Sequence, residues 1–164
     1  YGLVAHDQTE VVFCGKDLKV LEKMRKIMAT DYYHISLSTD VRGIESAVAL
    51  KNAYALAVAL TIGVNQRDFG IDSELHFNSQ AAVFGQGVKE MHILLDFLGA
   101  ASIESLYVGA GDLYVTINGG RTRLLGILLG RGDDIDTAKK KLSGVTLESI
   151  VVTERVARAV KKNA

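Results

Sequence analysis

Residues Ile44–Val64 read I-E-S-A-V-A-L-K-N-A-Y-A-L-A-V-A-L-T-I-G-V, an almost wholly apolar, alanine-rich stretch with Lys51 and Asn52 in its middle. Apolar residues at helical spacing over Val41–Asn65 predict a buried helix. An unpaired ammonium group is costly to bury, so proteins normally keep lysine at the surface. Lys51 therefore either extends past its small neighbours to solvent or belongs to a site that uses it for proton transfer.

The surroundings of Lys51 on this helix favour a site. If the stretch is helical, the residues three and four positions away are Ala47, Val48, Tyr54 and Ala55. Two of these are alanines, which leave room beside the amine for a small substrate. The alternative is an exposed lysine on a mostly buried helix.

Composition limits the classes of function. The chain has 164 residues, of which 48% are hydrophobic and 23% charged, as expected for one globular domain with a substantial core. Its net charge is zero, so no basic surface is expected to attract nucleic acid or an anionic membrane. Cys14 is the only cysteine, which favours a reducing, cytoplasmic setting, and no signal peptide is evident. The apolar run Ala53–Val64 is predicted to be too short to span a bilayer.

Two features predict that the chain is part of a longer protein. It opens at Tyr1 rather than at methionine, and it has no glycine-rich dinucleotide-binding fingerprint after a strand. The nearest approaches are Gly85-Gln86-Gly87 and Gly109-Ala110-Gly111, neither of which has the G-x-G-x-x-G pattern.

The first forty residues predict a β-α-β unit. Glu10–Cys14 and Tyr33–Ser38 have the composition of strands. Between them, Asp17 is a candidate N-cap for a helix with apolar residues at helical spacing over 18–28. A single β-α-β unit cannot bury both faces of its sheet, so we expect it to be the end of a larger α/β domain.

The rest of the chain predicts helices without a further strand. The helical periods cover Val41–Asn65, Leu75–Leu98, a short segment from Ser102 or Ile103 to Tyr107, Arg121–Leu129, Ile135–Leu142 and Leu147–Lys162. Asn65–Glu74 is the evident loop. Gly85 and Gly87 lower the helix propensity of their segment, and we expect them to permit close helix–helix approach.

A glycine-rich region is the second candidate site. Gly109-Ala110-Gly111-Asp112 and Thr116 are followed by Asn118-Gly119-Gly120-Arg121-Thr122-Arg123. Glycines let backbone N–H groups turn toward an anion, and the last of them precedes a predicted helix N-terminus, which favours phosphate. Arg121 adds a planar guanidinium suited to phosphate oxygens. The alternative is a glycine-rich loop followed by a solvated arginine.

Three stretches together resemble the C-terminal, substrate domain of NAD(P)-dependent glycerol-3-phosphate dehydrogenase. They are G-I-E-S-A-V-A-L-K-N-A at Gly43–Ala53, the helix Asn78–Leu98 with its N-x-x-A-A opening, and G-D-L-Y-V-T-I-N-G-G-R-T-R at Gly111–Arg123. The resemblance implies a mainly α fold, a helical bundle of the 6-phosphogluconate-dehydrogenase C-terminal type, preceded by a β-α-β remnant of a Rossmann-type domain. Residues 1–40 would be the end of the nucleotide-binding domain and 41–164 the all-α substrate domain.

The resemblance also implies roles for individual residues. Lys51 would be the catalytic proton carrier. The substrate would be bound by Lys51, Asn52, Asp112, Thr116, Gly120, Arg121 and Thr122, and the cofactor by Arg121 and Glu148, with no metal. This sequence departs from the family pattern at Thr122, where asparagine is usual, at Leu147-Glu148-Ser149 in place of V-E-G, and at Gln80 in place of lysine or arginine.

The implied activity is interconversion of glycerol 3-phosphate and dihydroxyacetone phosphate. NAD or NADP would be bound mainly by the missing N-terminal domain, and the resemblance leaves the choice between them open. The expected partners are a small phosphorylated substrate and further copies of the chain in a homo-oligomer, without nucleic acid or membrane insertion. Two alternatives are a related 2-hydroxy-acid dehydrogenase with an unphosphorylated substrate and a non-catalytic helical interaction domain.

Overall fold

The computed structural model describes residues 2–100, 102–144 and 147–163. Within these residues the order of elements is β1 (Thr9–Cys14), α1 (Leu18–Met28), β2 (Tyr33–Ser38), α2 (Val41–Phe69), α3 (Phe77–Phe97), α4 (Ile103–Ile117), α5 (Gly120–Arg131), α6 (Ile135–Lys141) and α7 (Glu148–Asn163). The predicted fold class, a mainly helical protein preceded by a β-α-β unit, is confirmed.

The β-α-β unit forms a two-stranded parallel sheet. Strand β1 pairs with β2 from Thr9 opposite Tyr33 to Cys14 opposite Ser38. Asp17 caps α1 as predicted, because its side chain accepts hydrogen bonds from the N–H groups that begin the helix.

Helix α1 leaves most of its apolar side chains exposed. Leu21 is its buried residue, whereas Val20, Met24 and Ile27 are exposed. The apolar face of this helix therefore has little cover within the described part of the chain.

Helix α2 is the centre of the bundle and contacts α3, α4, α5 and α7. Its buried residues include Ala47, Ala55, Val58, Ala59 and Ile62. It continues past the predicted end at Asn65 and stops at Gly70, which has a φ of 99°. Asn65 is buried, and its amide donates hydrogen bonds to Ser73 Oγ at 3.0 Å and to the carbonyl of Glu74 at 2.8 Å. The residue predicted to open the loop thus holds that loop against the helix.

The length of α2 bears on one expectation. With 29 residues and an 18-residue window of mean hydropathy 1.6, it is long and apolar enough to cross a membrane by length and composition alone. The run Ala53–Val64, predicted to be too short to span a bilayer, is thus part of a longer apolar helix than the sequence analysis considered. However, 44% of that window is buried inside the protein, and the apolarity of α2 is accounted for by its packing against four other helices.

Helix α4 replaces much of the predicted glycine-rich loop. The short helix predicted to end at Tyr107 continues to Ile117, so Gly109-Ala110-Gly111-Asp112 is helical and does not turn its N–H groups toward an anion. Gly109 is buried, and a Cβ there would overlap the sulfur of Met91 and lie 3.0 Å from Cβ of Ala47. Its glycine permits close packing of α4 on its neighbours.

The two glycines of α3 differ. A Cβ at Gly87 would lie 3.0 Å from Cδ1 of Tyr54, so the predicted close approach to α2 is confirmed there. A Cβ at Gly85 would meet nothing within 4 Å, so the same prediction was wrong for Gly85.

Candidate functional site

Helices α2 and α4 run parallel and touch at three successive levels. We call these contacts the α2–α4 seam, formed by Gly43, Ala47 and Lys51 of α2 facing Ser105, Gly109 and Asp112 of α4. Successive positions are three or four residues apart on each helix, so the three residues of α2 lie on one face of that helix and the three of α4 lie on one face of the other. The seam brings two residues distant in sequence, Lys51 and Asp112, to one place.

Lys51 and Asp112 form an ion pair, with 2.5 Å between Lys51 Nζ and Asp112 Oδ2. Their side chains are 17% and 32% exposed, so the pair is largely enclosed but still reaches solvent. Asp112 compensates the charge that the apolar helix would otherwise leave unpaired. An exposed lysine on a buried helix, the alternative to a site, is therefore not what the structure shows.

Asn52 and Thr116 flank this pair. Asn52 follows Lys51 on α2 and is half-buried. Thr116 lies one turn beyond Asp112 on α4, and its hydroxyl donates a hydrogen bond to the carbonyl of Asp112 at 2.7 Å. The Thr116 hydroxyl proton is thus engaged by the helix, while its oxygen can still accept a hydrogen bond.

The turn from α4 to α5 carries the predicted anion-binding residues. Gly120 has a φ of 79°, and a Cβ at Gly119 or Gly120 would meet nothing within 4 Å. The backbone of this turn is therefore open to approach. Arg121 is exposed in the first turn of α5, and Thr122, the next residue, is half-buried.

Arg123 contributes to this turn in a way that the sequence did not reveal. Its Nη1 donates a hydrogen bond to the carbonyl of Ile117 at 2.6 Å, at the C-terminus of α4. A cationic donor is favourable where helix carbonyls lack partners. The only indication in the sequence was the arginine two positions after Arg121.

Glu148 begins α7 and is exposed. Among the described residues, neither Glu148 nor Arg121 forms a hydrogen bond or an ion pair with Lys51 or Asp112. Ser149, where the family resembled has glycine, is fully buried, and its hydroxyl has no hydrogen-bond partner in the described part of the chain.

A groove of about 870 Å³ lies between β1 and α4, with Asp112 on its wall. Its lining includes Val12 of β1 and Tyr107, Val108 and Val115 of α4. Its volume is in the range of small-molecule sites. Besides these apolar residues, the lining carries four carboxylates, Asp7, Glu10, Glu104 and Asp112.

Tyr54, one turn after Lys51 on α2, is a neutral hydroxyl at physiological pH. Burial, reinforced by the negative charge of Glu90, raises the pKa of Tyr54 to about 12. With this pKa, Tyr54 is not a candidate general base.

The bundle with this seam matches a known family. The family model for the C-terminus of NAD-dependent glycerol-3-phosphate dehydrogenase matches residues 40–164. The chain therefore belongs to the NAD-dependent glycerol-3-phosphate dehydrogenase C-terminal family.

Curated relatives carry matching names. The chain is 35% identical over 135 residues to an NADP(+)-dependent glycerol-3-phosphate dehydrogenase of Archaeoglobus fulgidus, a match covering 82% of this chain and 39% of the relative. It is 33% identical over 159 residues to a chloroplastic NAD(+) glycerol-3-phosphate dehydrogenase of Arabidopsis thaliana, covering 94% of this chain and 36% of that protein. The chain thus spans less than half the length of these relatives.

Solved structures share the fold. A glycerol-3-phosphate dehydrogenase from Coxiella burnetii superimposes with a TM-score of 0.80 at 24% identity, covering 99% of this chain and 48% of that one. One from Plasmodium falciparum gives a TM-score of 0.83 at 20% identity, covering 99% and 45%. The β-α-β unit and the bundle are included in both matches.

Proposed function

We propose that this chain is the substrate-binding, catalytic-lysine half of an NAD(P)-dependent enzyme that interconverts glycerol 3-phosphate and dihydroxyacetone phosphate. The observation that carries the proposal is the largely enclosed Lys51–Asp112 ion pair, which still reaches solvent, in a chain of this family. The names of the two curated relatives support the reaction type.

Lys51 is the proton carrier in this proposal. During reduction, the Lys51 ammonium donates a proton to the carbonyl oxygen of the substrate as a hydride reaches the carbonyl carbon. The nicotinamide cofactor supplies that hydride when bound. In the reverse direction the neutral Lys51 amine accepts the hydroxyl proton. Asp112 orients the ammonium through their 2.5 Å contact.

The α4–α5 turn is the proposed phosphate site. The open backbone at Gly119 and Gly120, the N-terminus of the 12-residue helix α5, and the exposed guanidinium of Arg121 all favour an anion. Thr122 offers a hydroxyl where the family usually offers an amide.

Part of the cofactor can be held by this chain. The groove beside Asp112 has apolar side chains, Val12, Val108 and Val115, that suit a planar ring. The side chains of Arg121 and Glu148 are exposed and fit contacts to a charged or hydroxylated group. We assign most cofactor binding to the nucleotide-binding domain of which residues 1–40 are the end, with NAD or NADP as the cofactor.

The same proposal includes a cytoplasmic homo-oligomer without membrane insertion. The exposed apolar side chains of α1 and the two-stranded sheet favour self-association of the chain by itself through residues 10–38.

The test of the reaction uses the complete enzyme. We expect the enzyme to oxidise NADH or NADPH with dihydroxyacetone phosphate as substrate, and to do so much more slowly with dihydroxyacetone. The oxidation is measured as loss of the absorbance of the reduced cofactor. Turnover of unphosphorylated 2-oxo acids with no turnover of dihydroxyacetone phosphate would support the 2-hydroxy-acid dehydrogenase alternative. No turnover of any carbonyl substrate by a folded complete enzyme would support the non-catalytic alternative.

A further inference from the structure

A polar junction joins the N-termini of α2 and α4 at the first level of the α2–α4 seam. Asp40 caps α2, because its Oδ1 accepts the N–H of Gly43 at 2.8 Å. The other oxygen, Oδ2, accepts a hydrogen bond from Ser105 Oγ at 2.9 Å. Ser105 is fully buried and lies in the first turn of α4. One carboxylate therefore serves both helices.

The junction is extended by the cap of α4. Ser102 Oγ accepts the N–H of Ser105 at 3.2 Å, and the two serine hydroxyl oxygens lie 2.7 Å apart. The Gly43 N–H, with the Ser105 and Ser102 hydroxyls, holds the pKa of Asp40 below its usual 3.8 despite partial burial. Asp40 is thus a carboxylate at neutral pH, and its hydrogen bonds are charge-assisted.

Apart from the Lys51–Asp112 pair itself, the Asp40–Ser105 hydrogen bond is the directional polar contact between the described residues of the seam. The middle level joins Ala47 to Gly109, which have no directional polar group. At the first level there is no room for a side chain on Gly43, since a Cβ would overlap Asp40 Oδ2 and lie 2.5 Å from Ser105 Oγ. The Asp40–Ser105 hydrogen bond is therefore the directional contact at the start of the seam.

The same two helices carry the reacting pair. Lys51 is about 16 Å along α2 from Asp40, and Asp112 is about 10 Å along α4 from Ser105, at 1.5 Å of rise per residue. Because helices are stiff over this length, the axial register set at the junction is transmitted to Lys51 and Asp112.

We propose that Asp40 and Ser105 are positioning residues for the Lys51–Asp112 pair, setting the register of α2 against α4 that brings the amine onto the carboxylate. The consequence for turnover rests on the proposed function. The consequence for the geometry of the ion pair does not.

The first test measures the ion pair in the 164-residue chain without substrate. Isotope-edited NMR gives the solvent-exchange rate of the Lys51 ammonium protons, which Asp112 protects. We expect Ser105→Ala to raise this rate roughly threefold or more, within the range of coupling found between linked polar contacts. Ser73→Ala is the matched control, because it deletes a serine hydroxyl bonded to Asn65 at the far end of α2. It should leave the rate unchanged.

A pair of variants at residue 40 covers the case in which Ser105→Ala fails to fold or Ser102 substitutes for the lost hydroxyl. Asp40→Ser keeps an N-cap for α2 but is too short to reach α4, so it should raise the exchange rate as Ser105→Ala does. In Asp40→Asn the side-chain amide can still accept the Gly43 N–H and form a hydrogen bond with the Ser105 hydroxyl. This variant should therefore keep the wild-type exchange rate. Exchange rates that Ser105→Ala and Asp40→Ser both leave unchanged would overturn the proposal.

A double-mutant cycle in the complete enzyme separates positioning from general stability. Ser105→Ala should lower kcat about tenfold or more, with little change in KM, because it misplaces the proton carrier. In an Asp112→Asn background the same substitution should have much less effect on kcat. Equal effects in both backgrounds would show that Ser105 acts on stability alone. If Lys51→Ala left turnover intact, the proposed function would fail while the NMR result would still decide the register proposal.

Discussion

Gly63 of α2 and Gly130 of α5 face one another with no side chain between them. A Cβ on Gly63 would lie 2.8 Å from Cα of Gly130, and one on Gly130 would lie 2.9 Å from Cα of Gly63. One turn earlier on α5, a Cβ on Gly126 would lie 2.7 Å from the carbonyl oxygen of Leu56. Helix α5 thus lies directly on the backbone of α2, which fixes the helix that begins with the proposed phosphate site relative to the helix that carries Lys51.

Gly130→Ala should lower the free energy of unfolding by about 1–3 kcal/mol, the usual cost of overpacking, because backbone atoms of α2 occupy the space of the new methyl group. Gly85→Ala is the matched control in α3, where a Cβ meets nothing within 4 Å. It should raise the free energy of unfolding by up to about 1 kcal/mol, since alanine is the better helix former. Urea denaturation measures both. Equal effects of the two substitutions would contradict the close α2–α5 packing.

Arg121→Ala should weaken the binding of dihydroxyacetone phosphate far more than that of dihydroxyacetone, because it removes a charged donor that only the phosphate uses. The side chain is exposed and makes no hydrogen bond or ion pair with the described residues, so the free energy of unfolding should change by no more than about 0.5 kcal/mol. Steady-state kinetics of the complete enzyme with both substrates gives the comparison. Arg155→Ala, at an exposed position of α7, is the control. Equal losses for the two substrates would mean that Arg121 does not bind the phosphate.

The contribution of Asp40 to the free energy of unfolding should decrease as the pH is lowered. Its folded-state pKa is below the usual 3.8, so its stabilising contribution is fully present above its unfolded pKa and is lost as pH falls through the folded value. The free energy of unfolding of the wild type should therefore approach that of Asp40→Asn as pH is lowered below about 4. Urea denaturation at a series of pH values measures the difference. A difference that stays constant or widens on acidification would contradict the hydrogen bonding at Asp40.

Much of the fold could be predicted from local patterns. The β-α-β unit, the cap at Asp17 and the apolar periods of α2 and α3 depend on residues close in sequence. The part of helix α4 after Tyr107 was missed because Gly109 and Gly111 have the composition of a loop. The reason for a glycine at 109 is Met91, on another helix, which no local pattern shows.

The site was predicted as a set of residues but without its geometry. The apolar setting of Lys51 indicated that it needed a partner, and Asp112 was identified only through the family resemblance. The bonds from Ser105 to Asp40 and from Arg123 to Ile117 were not foreseen. The first joins residues 65 positions apart, and both depend on how helices meet rather than on helix pattern.

Replacing Lys51 in the complete enzyme tests the central claim most directly. Lys51→Ala should lower kcat by at least about 100-fold, the usual contribution of a positioned proton carrier, while α2 persists because alanine favours the helix. Lys89→Ala, an exposed lysine on α3, is the control and should keep wild-type turnover. Circular dichroism confirms that each variant is folded. A folded Lys51→Ala enzyme with near-wild-type kcat would contradict the account.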